Sequence, residues 1–434
     1  MVLPKLSEYF VSREPSPIRL AQIVHMSRKD KVEAINVAIG NVSLPMHPAM
    51  QRRMLNLGAQ DSPFENGVVK YSATVGFDET NEAFLNIIAA SGGKVKNLYS
   101  QVTDGGSQAM ELVILGVCGD PGKNEKPLLL IDPTYTNYVS MAERTGRKTV
   151  SVPRYIRANS KFTIPDLKEI ENVIIKLKPS AILVIPYDNP TGHFYPMDDI
   201  IKIAKLAVKY NLWLISDEAY RELVYIDSEA STIWKLTNID VQGIEGRRIG
   251  IETSSKVWNA CGLRIGAIVT DNKDFHTKAV AENTANLCSN VIGQYIFGAL
   301  AHETAEDLEA WYLKQRIYYK GIGDNLRSEF KKLMPDIILS SPDSAIYTVI
   351  DVKNSVDSNF NSMDFVLYCA EQGLVNVDGR KLTLLVSPMS GFYNSNNSQG
   401  ATQMRIAFVE SPENMKLIPL LFNELLKEYL SSNR

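Results

Sequence analysis

Short apolar segments alternate with amphipathic ones between residues 127 and 269, and this alternation constrains the fold more than any other feature of the chain. Ala181–Ile185 and Leu212–Ile215 are apolar throughout, which is typical of strands buried on both faces. Between them, Met197–Tyr210 places apolar residues at helical spacing. The alternation therefore predicts an α/β fold with a large domain in which helices cover a mostly parallel sheet.

The pattern changes after Met334, where Ile346–Asp351 and Met404–Val409 predict strands of a smaller α+β unit. Long helices over residues 291–332 are expected to connect the two units, and 434 residues are enough for both. Earlier in the chain, Thr80 is expected to cap a helix. We expect a large, cofactor-binding domain over residues 48–325 and a small domain formed by residues 1–47 and 326–434.

The composition argues against several classes of protein. A net charge of −3 without a basic run argues against a nucleic-acid partner. The four cysteines are far apart without a CxxC pair, and the five histidines are scattered, so we expect reduced thiols, no metal site and a cytoplasmic location. No apolar run approaches the roughly 20 residues of a membrane span, and no apolar signal core begins the chain, so no membrane partner is expected.

Polar motifs follow the predicted strands. Ligand sites of open α/β sheets collect at the carboxyl ends of the strands, so these motifs are candidates for one site. A glycine turn that leads into a helix can bind an anion through backbone N–H groups, although many such turns bind nothing. The motifs are the turn Gly105–Gln108, the aromatic Tyr135, the tetrapeptide NPTG at residues 189–192, and the tetrapeptide DEAY at residues 217–220.

The most informative stretch surrounds Lys256, which lies in a polar turn between two predicted strands, Ile249–Ile251 and Ile265–Val269. A lysine in a partly apolar site can present a neutral amine that attacks a carbonyl. Thr253 and its neighbouring serines, together with Arg264 eight positions after the lysine, offer a seat for a phosphate dianion. A lysine beside a phosphate seat suggests pyridoxal phosphate held as a Schiff base.

In this order and spacing, NPTG, DEAY and the lysine with its following arginine resemble the motifs of class I aminotransferases, which are pyridoxal-phosphate enzymes of fold-type I. The resemblance covers nearly the whole chain. It implies that an amino group moves between an α-amino acid and a 2-oxo acid, with 2-oxoglutarate the expected acceptor, by a ping-pong route.

The resemblance also implies roles for individual residues. Lys256 would form the Schiff base and later carry the substrate proton. Asp217 would pair with the pyridine nitrogen, because a carboxylate keeps that nitrogen protonated. Asn189 and Tyr220 would donate hydrogen bonds to the ring oxygen, and Tyr135 would stack on the ring. Without the other motifs, Asp217 would instead be interpreted as a helix N-cap.

Further implied contacts concern the phosphate and the substrate. Tyr71 would reach the phosphate from the partner subunit, which implies a homodimer with shared sites. Arg405 would grip the substrate α-carboxylate through two hydrogen bonds, assisted by Asn189 and the backbone of Gly40. Taken alone, Arg405 would be a surface ion-pair residue. The residues implied to hold the phosphate within one subunit are Gly106, Ser107, Gln108, Thr253, Ser255 and Arg264.

The chain departs from the dicarboxylate-specific members of the family. One group of them has a lysine in the glycine turn, where this chain has Ser107, and another has an arginine just before the position of Ser289, where this chain has no base. Aspartate is therefore not the expected donor unless another base substitutes. The candidates for that base are Arg13, Arg19 and Lys70, and the role of His193 stays open.

Two other functions fit parts of the pattern. A C–S lyase, or another pyridoxal-phosphate enzyme of amino acids, would use nearly the same residues around the cofactor. It would release ammonia and pyruvate without an acceptor. A ligand-binding regulatory protein of aminotransferase-like fold would need an added DNA-binding segment, but only about 47 residues precede the sheet domain, without a basic recognition helix.

The lysine assignment predicts the result of a labelling experiment. Borohydride should attach the cofactor to the peptide that contains Lys256. Lys256→Ala should still bind pyridoxal phosphate non-covalently while losing turnover, because the phosphate seat is separate from the amine. Peptide mapping by mass spectrometry checks both statements. A label on any other peptide would overturn the assignment.

Overall fold

The computed structural model of the protein describes residues 3–394 and 397–432. The strands are β1 (Glu33–Asn36), β2 (Tyr99–Thr103), β3 (Leu128–Asp132), β4 (Thr149–Pro153), β5 (Ala181–Val184), β6 (Trp213–Asp217), β7 (Arg248–Thr253), β8 (Gly266–Thr270), β9 (Ile338–Leu339), β10 (Tyr347–Asp351), β11 (Val375–Val377), β12 (Arg380–Leu385), β13 (Ser387–Pro388) and β14 (Gln403–Ala407). The helices are α1 (Glu8–Val11), α2 (Pro17–Met26), α3 (Pro48–Leu55), α4 (Asp78–Ala90), α5 (Gly105–Val117), α6 (Asn137–Arg144), α7 (Leu167–Leu177), α8 (Met197–Lys209), α9 (Lys273–Asn283), α10 (Val291–Gly298), α11 (Ala305–Leu333), α12 (Ser362–Glu371) and α13 (Pro412–Ser432).

Seven strands form the central sheet in the order β2-β8-β7-β6-β5-β3-β4. Its neighbouring strands are parallel except where β8 pairs with β2 and β7, to which it is antiparallel. Strands β3, β5 and β7 are buried along their whole length, because helices cover both faces. Alternate residues of β5 enter two different apolar clusters, one containing α7 and α8 residues and the other α5 and α9 residues. The predicted α/β fold with a mostly parallel sheet is confirmed.

The C-terminal part of the chain builds two smaller sheets. Strands β13, β14, β10 and β9 form an antiparallel sheet, and β1 joins β12 and β11, with Ile35 opposite Leu384. The N–H of Ala407, in β14, donates to the carbonyl of Val37. This bond connects the N-terminal segment to the four-stranded sheet as well. These contacts support the small domain of residues 1–47 and 326–434 that we propose, with residues 48–325 as the large domain.

Helix α11, the longest of the described helices, contacts the segment that carries Lys256. Its first turn is closed by a capping box in which Thr304 and Asp307 each satisfy the other's backbone N–H, a motif that stabilises a helix by about 1 kcal/mol. The indole of Trp311 donates to the carbonyl of Val257, at 2.9 Å. Because Val257 directly follows Lys256, this hydrogen bond fixes the backbone of the lysine turn against α11.

The expected cap at Thr80 is wrong. Helix α4 begins earlier, at Asp78, and Phe77 occupies the N-cap position. Thr80 lies inside the helix and is fully buried, where its hydroxyl donates to the carbonyl of Gln294 at 2.9 Å. The side chain of Gln294 in turn accepts from the N–H of Phe77, at 2.7 Å. A residue more than two hundred positions away therefore satisfies the helix start, and local sequence carries no sign of it.

Across the described ranges, no helix combines the length and the apolar character that crossing a membrane would require.

A buried ion pair joins two loops at the carboxyl edge of the sheet. Arg154 is fully buried and donates from Nη2 to Asp188 at 2.7 Å and to the carbonyl of Pro133 at 3.0 Å. Thr191 donates to the same carboxylate. Burial raises the pKa of Asp188 while Arg154 lowers it, so the carboxylate depends on its partner for compensation.

Removing that partner should destabilise the fold strongly. Arg154→Met leaves Asp188 buried without a counter-charge, and we expect a loss of about 3–5 kcal/mol in the free energy of unfolding. Lys320→Met is the control, because the Lys320–Asp324 pair is exposed and should contribute less than about 1 kcal/mol. Chemical denaturation of the three proteins measures the difference. Equal effects of the two substitutions would contradict the prediction.

Candidate active site

A cavity of about 260 Å³ opens where the carboxyl edge of the central sheet meets the small domain. The strands β2, β3, β6 and β7 all end at this edge, so the polar motifs that follow them converge, as parallel pairing requires. The residues named from sequence that line the cavity are Gly40, Gly106, Ser107, Tyr135, Asn189, Asp217, Tyr220, Thr253, Ser255, Lys256, Arg264 and Arg405.

Lys256 lies between β7 and β8, which correspond to the two strands predicted on either side of it, and the structure pairs these strands antiparallel. Its ammonium group donates to the carbonyl oxygen of Gly40. A Cβ at residue 40 would overlap the hydroxyl of Tyr347 and lie 3.1 Å from the lysine nitrogen. A larger residue here would therefore displace the Tyr347 hydroxyl and crowd the lysine, which favours glycine at this position.

Asp217 ends β6 and is half-buried in the cavity wall. Its carboxylate accepts from the hydroxyl of Tyr138 at 2.5 Å and from the N–H of Ala219 at 3.0 Å. No helix follows in the structure, so the helix-cap alternative does not apply. Burial raises the pKa of Asp217, while Tyr138 and Ala219 act in the opposite direction through hydrogen bonds to the charged form. A cation bound beside Asp217 in the cavity would also stabilise its charged carboxylate.

Tyr135 and Tyr138 face each other in an edge-to-face arrangement, with ring centroids 5.4 Å apart. Both lie on the segment that follows β3, and both line the cavity. Burial raises the pKa of Tyr135 to about 12, and that of Tyr138 is also raised well above its usual value, chiefly by burial. Both phenols therefore stay protonated and can donate hydrogen bonds at neutral pH.

Arg405, from the small domain, lines the cavity and contacts Asn189 of the large domain. It is 3% exposed, so it is not a surface ion-pair residue. Its guanidinium donates to the side-chain oxygen of Asn189 at 2.8 Å and to the carbonyl of Ala38 at 2.7 Å. The rings of Tyr347 and Phe392 lie 4.4 and 5.0 Å from the guanidinium carbon. Aromatic faces and neutral acceptors hold the cation without neutralising it.

One donor of Arg405 is left over. Within residues 3–394 and 397–432, its Nε is buried and has no hydrogen-bond partner. A buried, unpaired N–H of a guanidinium costs free energy unless a ligand fills the gap. An acceptor such as a carboxylate would satisfy this remaining donor.

Tyr220 completes the polar wall between Asn189 and the small domain. Its hydroxyl lies 2.7 Å from the hydroxyl of Tyr347 and 3.5 Å from the side-chain nitrogen of Asn189. Burial raises the pKa of Tyr220 well above its usual value, and Tyr347 adds to the shift. The phenol therefore remains protonated and keeps a proton to donate.

Hydroxyl groups and a guanidinium gather at the N-terminus of α5. The hydroxyls of Thr253 and Ser255 are 2.8 Å apart. Arg264 adopts a left-handed backbone (φ 55°) and places its guanidinium so close to the backbone of Gly105 that a Cβ there would lie 2.5 Å from Nη2. No side chain caps the start of α5, so its first N–H groups remain available to an anion.

Two residues expected at the cofactor do not reach this cavity. The side chain of Gln108 turns back, accepting from the N–H of Asp104 at 2.6 Å and donating to Asn283 at 3.2 Å. Tyr71 is 77% exposed and does not line the cavity of its own chain. Asp104 and Asn283 already engage the Gln108 side chain, so the expected phosphate contact of Gln108 would have to come from its backbone N–H.

Several residues that line the cavity were not identified from the sequence. Tyr138 could have been found, because it lies one helical turn after Tyr135 on the segment following β3. Tyr347 and Phe392 belong to the small domain and are brought in by its packing alone. At the mouth of the cavity, Arg19 enters from α2, whereas Arg13 lies near Glu143 and Lys70 is exposed and outside the lining.

The donors in the cavity fit pyridoxal phosphate. The dianion requires hydroxyls, a guanidinium and helix N–H groups, and the end of the cavity near α5 supplies all three. The pyridine nitrogen requires a carboxylate, which Asp217 supplies, and the aldehyde requires an amine, which Lys256 supplies. Fold and cavity together define a pyridoxal-phosphate enzyme of two-domain architecture.

Comparison with known proteins agrees with this class. The family model described as "Aminotransferase class I and II" matches residues 35–416. The chain therefore belongs to this family, and it is a pyridoxal-phosphate-dependent aminotransferase. It is 26% identical over 296 residues to an aspartate aminotransferase of Thermotoga maritima, covering 66% of this chain and 72% of the relative.

Two further comparisons extend over most of the chain. An aspartate aminotransferase of Sulfolobus acidocaldarius is 24% identical over 372 residues, covering 83% of this chain and 86% of that protein. A solved structure of a Thermus thermophilus aspartate aminotransferase mutant superimposes with a TM-score of 0.79 at 19% identity, covering 98% of this chain and all of the other. At that identity the superposition shows the fold.

The surroundings of Asp217 predict how its substitution should act. Asp217→Asn is nearly isosteric and keeps the fold, but it removes the negative charge, and we expect kcat to fall by roughly 10³. Tyr138→Phe keeps the charge and removes one hydrogen bond, so it should lower kcat by only about tenfold. Steady-state kinetics, normalised to bound cofactor, checks both values. A near-normal kcat in Asp217→Asn would show that the carboxylate only shapes its loop.

Proposed function

We propose that this cavity performs ping-pong amino-group transfer between an α-amino acid and a 2-oxo acid, with Lys256 as the proton carrier. The observation that carries the proposal is the convergence, in one cavity, of a lysine amine, a carboxylate and an arginine with an unpaired buried donor. The bound cofactor supplies an electron-accepting ring and the carbon to which the amino group is transferred.

Lys256 is well placed to move a proton on the substrate. Its nitrogen lies beside the carbonyl of Gly40, on the same side of the cavity as Arg405, whose guanidinium contacts Ala38 two residues earlier. A carboxylate held by Arg405 would therefore bring the substrate α-carbon toward the amine. Proximity of this kind makes proton transfer effectively intramolecular.

Asp217, Asn189 and Tyr220 are proposed to set the charge and position of the ring. Asp217 would keep the ring nitrogen protonated. The protonated nitrogen is a cation, and it would stabilise the charged carboxylate, which burial disfavours. Tyr220 and Asn189 would donate to the ring oxygen. Gly106, Ser107, Thr253, Ser255 and Arg264 would hold the phosphate, and Gln108 would contribute through its backbone on the first turn of α5.

Arg405 is proposed to bind the α-carboxylate of every substrate. A planar guanidinium matches a carboxylate with two parallel hydrogen bonds, and Nε is the unpaired donor. Asn189 holds the same guanidinium at 2.8 Å, so ring contacts and substrate binding share one amide. The two domains must be in contact for this site to exist, because Asn189 and Arg405 come from different domains.

Arg19 is proposed to select among side chains. It is exposed at the cavity mouth, and within the described part of the chain its side chain donates only to Gln22, at 3.0 Å. An arginine held this loosely can meet the distal carboxylate of 2-oxoglutarate and swing out for a neutral donor. We therefore propose 2-oxoglutarate as acceptor and neutral or aromatic amino acids as donors at least as good as aspartate.

The two arginines should be separable by kinetics. Arg405→Lys keeps the charge but loses the two parallel hydrogen bonds. We expect kcat/KM to fall by a similar factor, about 5-fold to 150-fold or ~1–3 kcal/mol, for alanine, methionine, phenylalanine and aspartate. Arg19→Gln should raise KM for 2-oxoglutarate while leaving pyruvate unchanged, if pyruvate is accepted. A preference of wild type for aspartate by about 10³ would overturn the donor assignment.

We also propose that the enzyme is a cytoplasmic homodimer in which Tyr71 reaches the phosphate of the partner subunit. The support is the exposure of apolar side chains on one short segment: Val68, Val69 and Tyr71 are 51%, 53% and 77% exposed. Such a patch on a surface segment marks an interface. The cytoplasmic placement is supported by four free thiols, of which Cys118 and Cys369 are buried.

A shared site predicts complementation between subunits. Tyr71→Ala homodimers should have weakened turnover because both sites lose a phosphate contact. Lys256→Ala homodimers should have none because both sites lose the amine. Mixed dimers, formed by reassociation, should regain up to a quarter of wild-type activity, because one of two sites receives both native residues in half of the dimers. Light scattering should give twice the 48.4 kDa chain mass. A monomer in solution, or no regained activity, would refute the shared site.

A further inference from the structure

Beneath the cavity lies a second layer of charged residues that the reaction itself does not use. Glu218, Arg221 and Glu252 are 2%, 2% and 3% exposed. Each is the immediate sequence neighbour of a cavity residue: Glu218 follows Asp217, Arg221 follows Tyr220, and Glu252 precedes Thr253. None of the three lines the cavity.

Hydrogen bonds connect these residues into one cluster. Arg221 donates from Nη2 to Glu252 at 2.5 Å, and the same nitrogen lies 3.4 Å from Glu218. Glu218 also accepts from Ser216 at 2.9 Å and from Thr232 at 3.0 Å. The side chains thereby connect the turn after β6 with the end of β7.

The cluster is sensitive to any change, because its polar atoms lie in the protein interior. Burial and the neighbouring Glu218 raise the pKa of Glu252 to about 8, although Arg221 lowers it. The backbones of the two segments are themselves paired, since β6 and β7 are parallel neighbours with Asp217 opposite Ile251, and the pairing ends with a bond from the N–H of Glu218 to the carbonyl of Ile251 at 3.0 Å. That bond cannot by itself fix side-chain directions above it.

We propose that Arg221 and Glu252 are positioning residues: their buried contact sets Asp217 and Tyr220, on one segment, at the correct distance and angle from Thr253 and Lys256 on the other. The proposal rests on the roles proposed above for these four residues. Misplacement of a catalytic group by about 1 Å typically lowers a rate by about 10². The pair therefore acts on turnover without touching substrate or cofactor.

Two substitutions test the contact. Arg221→Met removes the guanidinium and should lower kcat about 10²-fold. Glu252→Leu leaves Arg221 with Glu218, a charge-balanced pair that favours folding, and should lower kcat about tenfold. In both variants KM should change less than about threefold, because Arg405 is untouched. The visible circular dichroism of the bound cofactor, which reports its orientation without turnover, should also change.

A matched control lies at the other end of the same strand. Arg248 begins β7 and pairs with Asp271 at 2.6 Å, with both side chains 7% exposed, far along the strand from Lys256. Arg248→Met should destabilise the protein comparably, yet leave kcat per bound cofactor and the cofactor dichroism unchanged. Rescue of Arg221→Met by the closer Arg221→Lys should be partial.

The outcomes are distinguishable. If Lys256→Ala retains turnover, the proposed site itself fails. If Lys256→Ala is inactive while Glu252→Leu keeps wild-type kcat and dichroism, only the positioning role is wrong. It is equally wrong if Arg248→Met shows the same losses as Arg221→Met, since the effect would then be general destabilisation. Should Arg221→Met fail to fold, Glu252→Leu decides alone.

Discussion

The parallel pairing of buried strands is the constraint on which the rest of this structure depends. Strands that are apolar on both faces can place polar groups only where they end, and parallel strands end at the same edge. Asp217, Thr253 and the glycine turn before α5 are distant in sequence and meet for this reason. The antiparallel β8 returns Arg264 to the same edge, which completes the anion-binding end of the cavity.

The sheet supplies only part of the cavity, and contact with the small domain supplies the remainder. Lys256 donates to Gly40 and Arg405 donates to Asn189, so these two bonds at the substrate end cross between the domains, while Arg405 also donates to Ala38 within the small domain. Residues that bind the cofactor and residues that bind the α-carboxylate therefore depend on the relative placement of two folding units.

Local patterns predicted the elements well but their long-range contacts poorly. The apolar segments around Ile182 and Leu214 lie in strands, since full burial leaves a clear sequence signature. The expected cap at Thr80 was wrong because Gln294 supplies the missing acceptor. The side chain of Gln108 faces Asp104 and Asn283 rather than the phosphate end, a choice decided by α9 and not by the glycine turn.

The sequence by itself determined the α/β class, the motifs at the strand ends, and the lysine and arginine that identify the family. These features are local, because strand burial, glycine turns and short motifs depend on neighbours a few residues away. Only the tertiary structure decided that Tyr347 lies against Tyr220, that Arg19 reaches the cavity mouth, and that Arg221 contacts Glu252. Such contacts join segments whose approach depends on sheet order and domain packing, which no local pattern encodes.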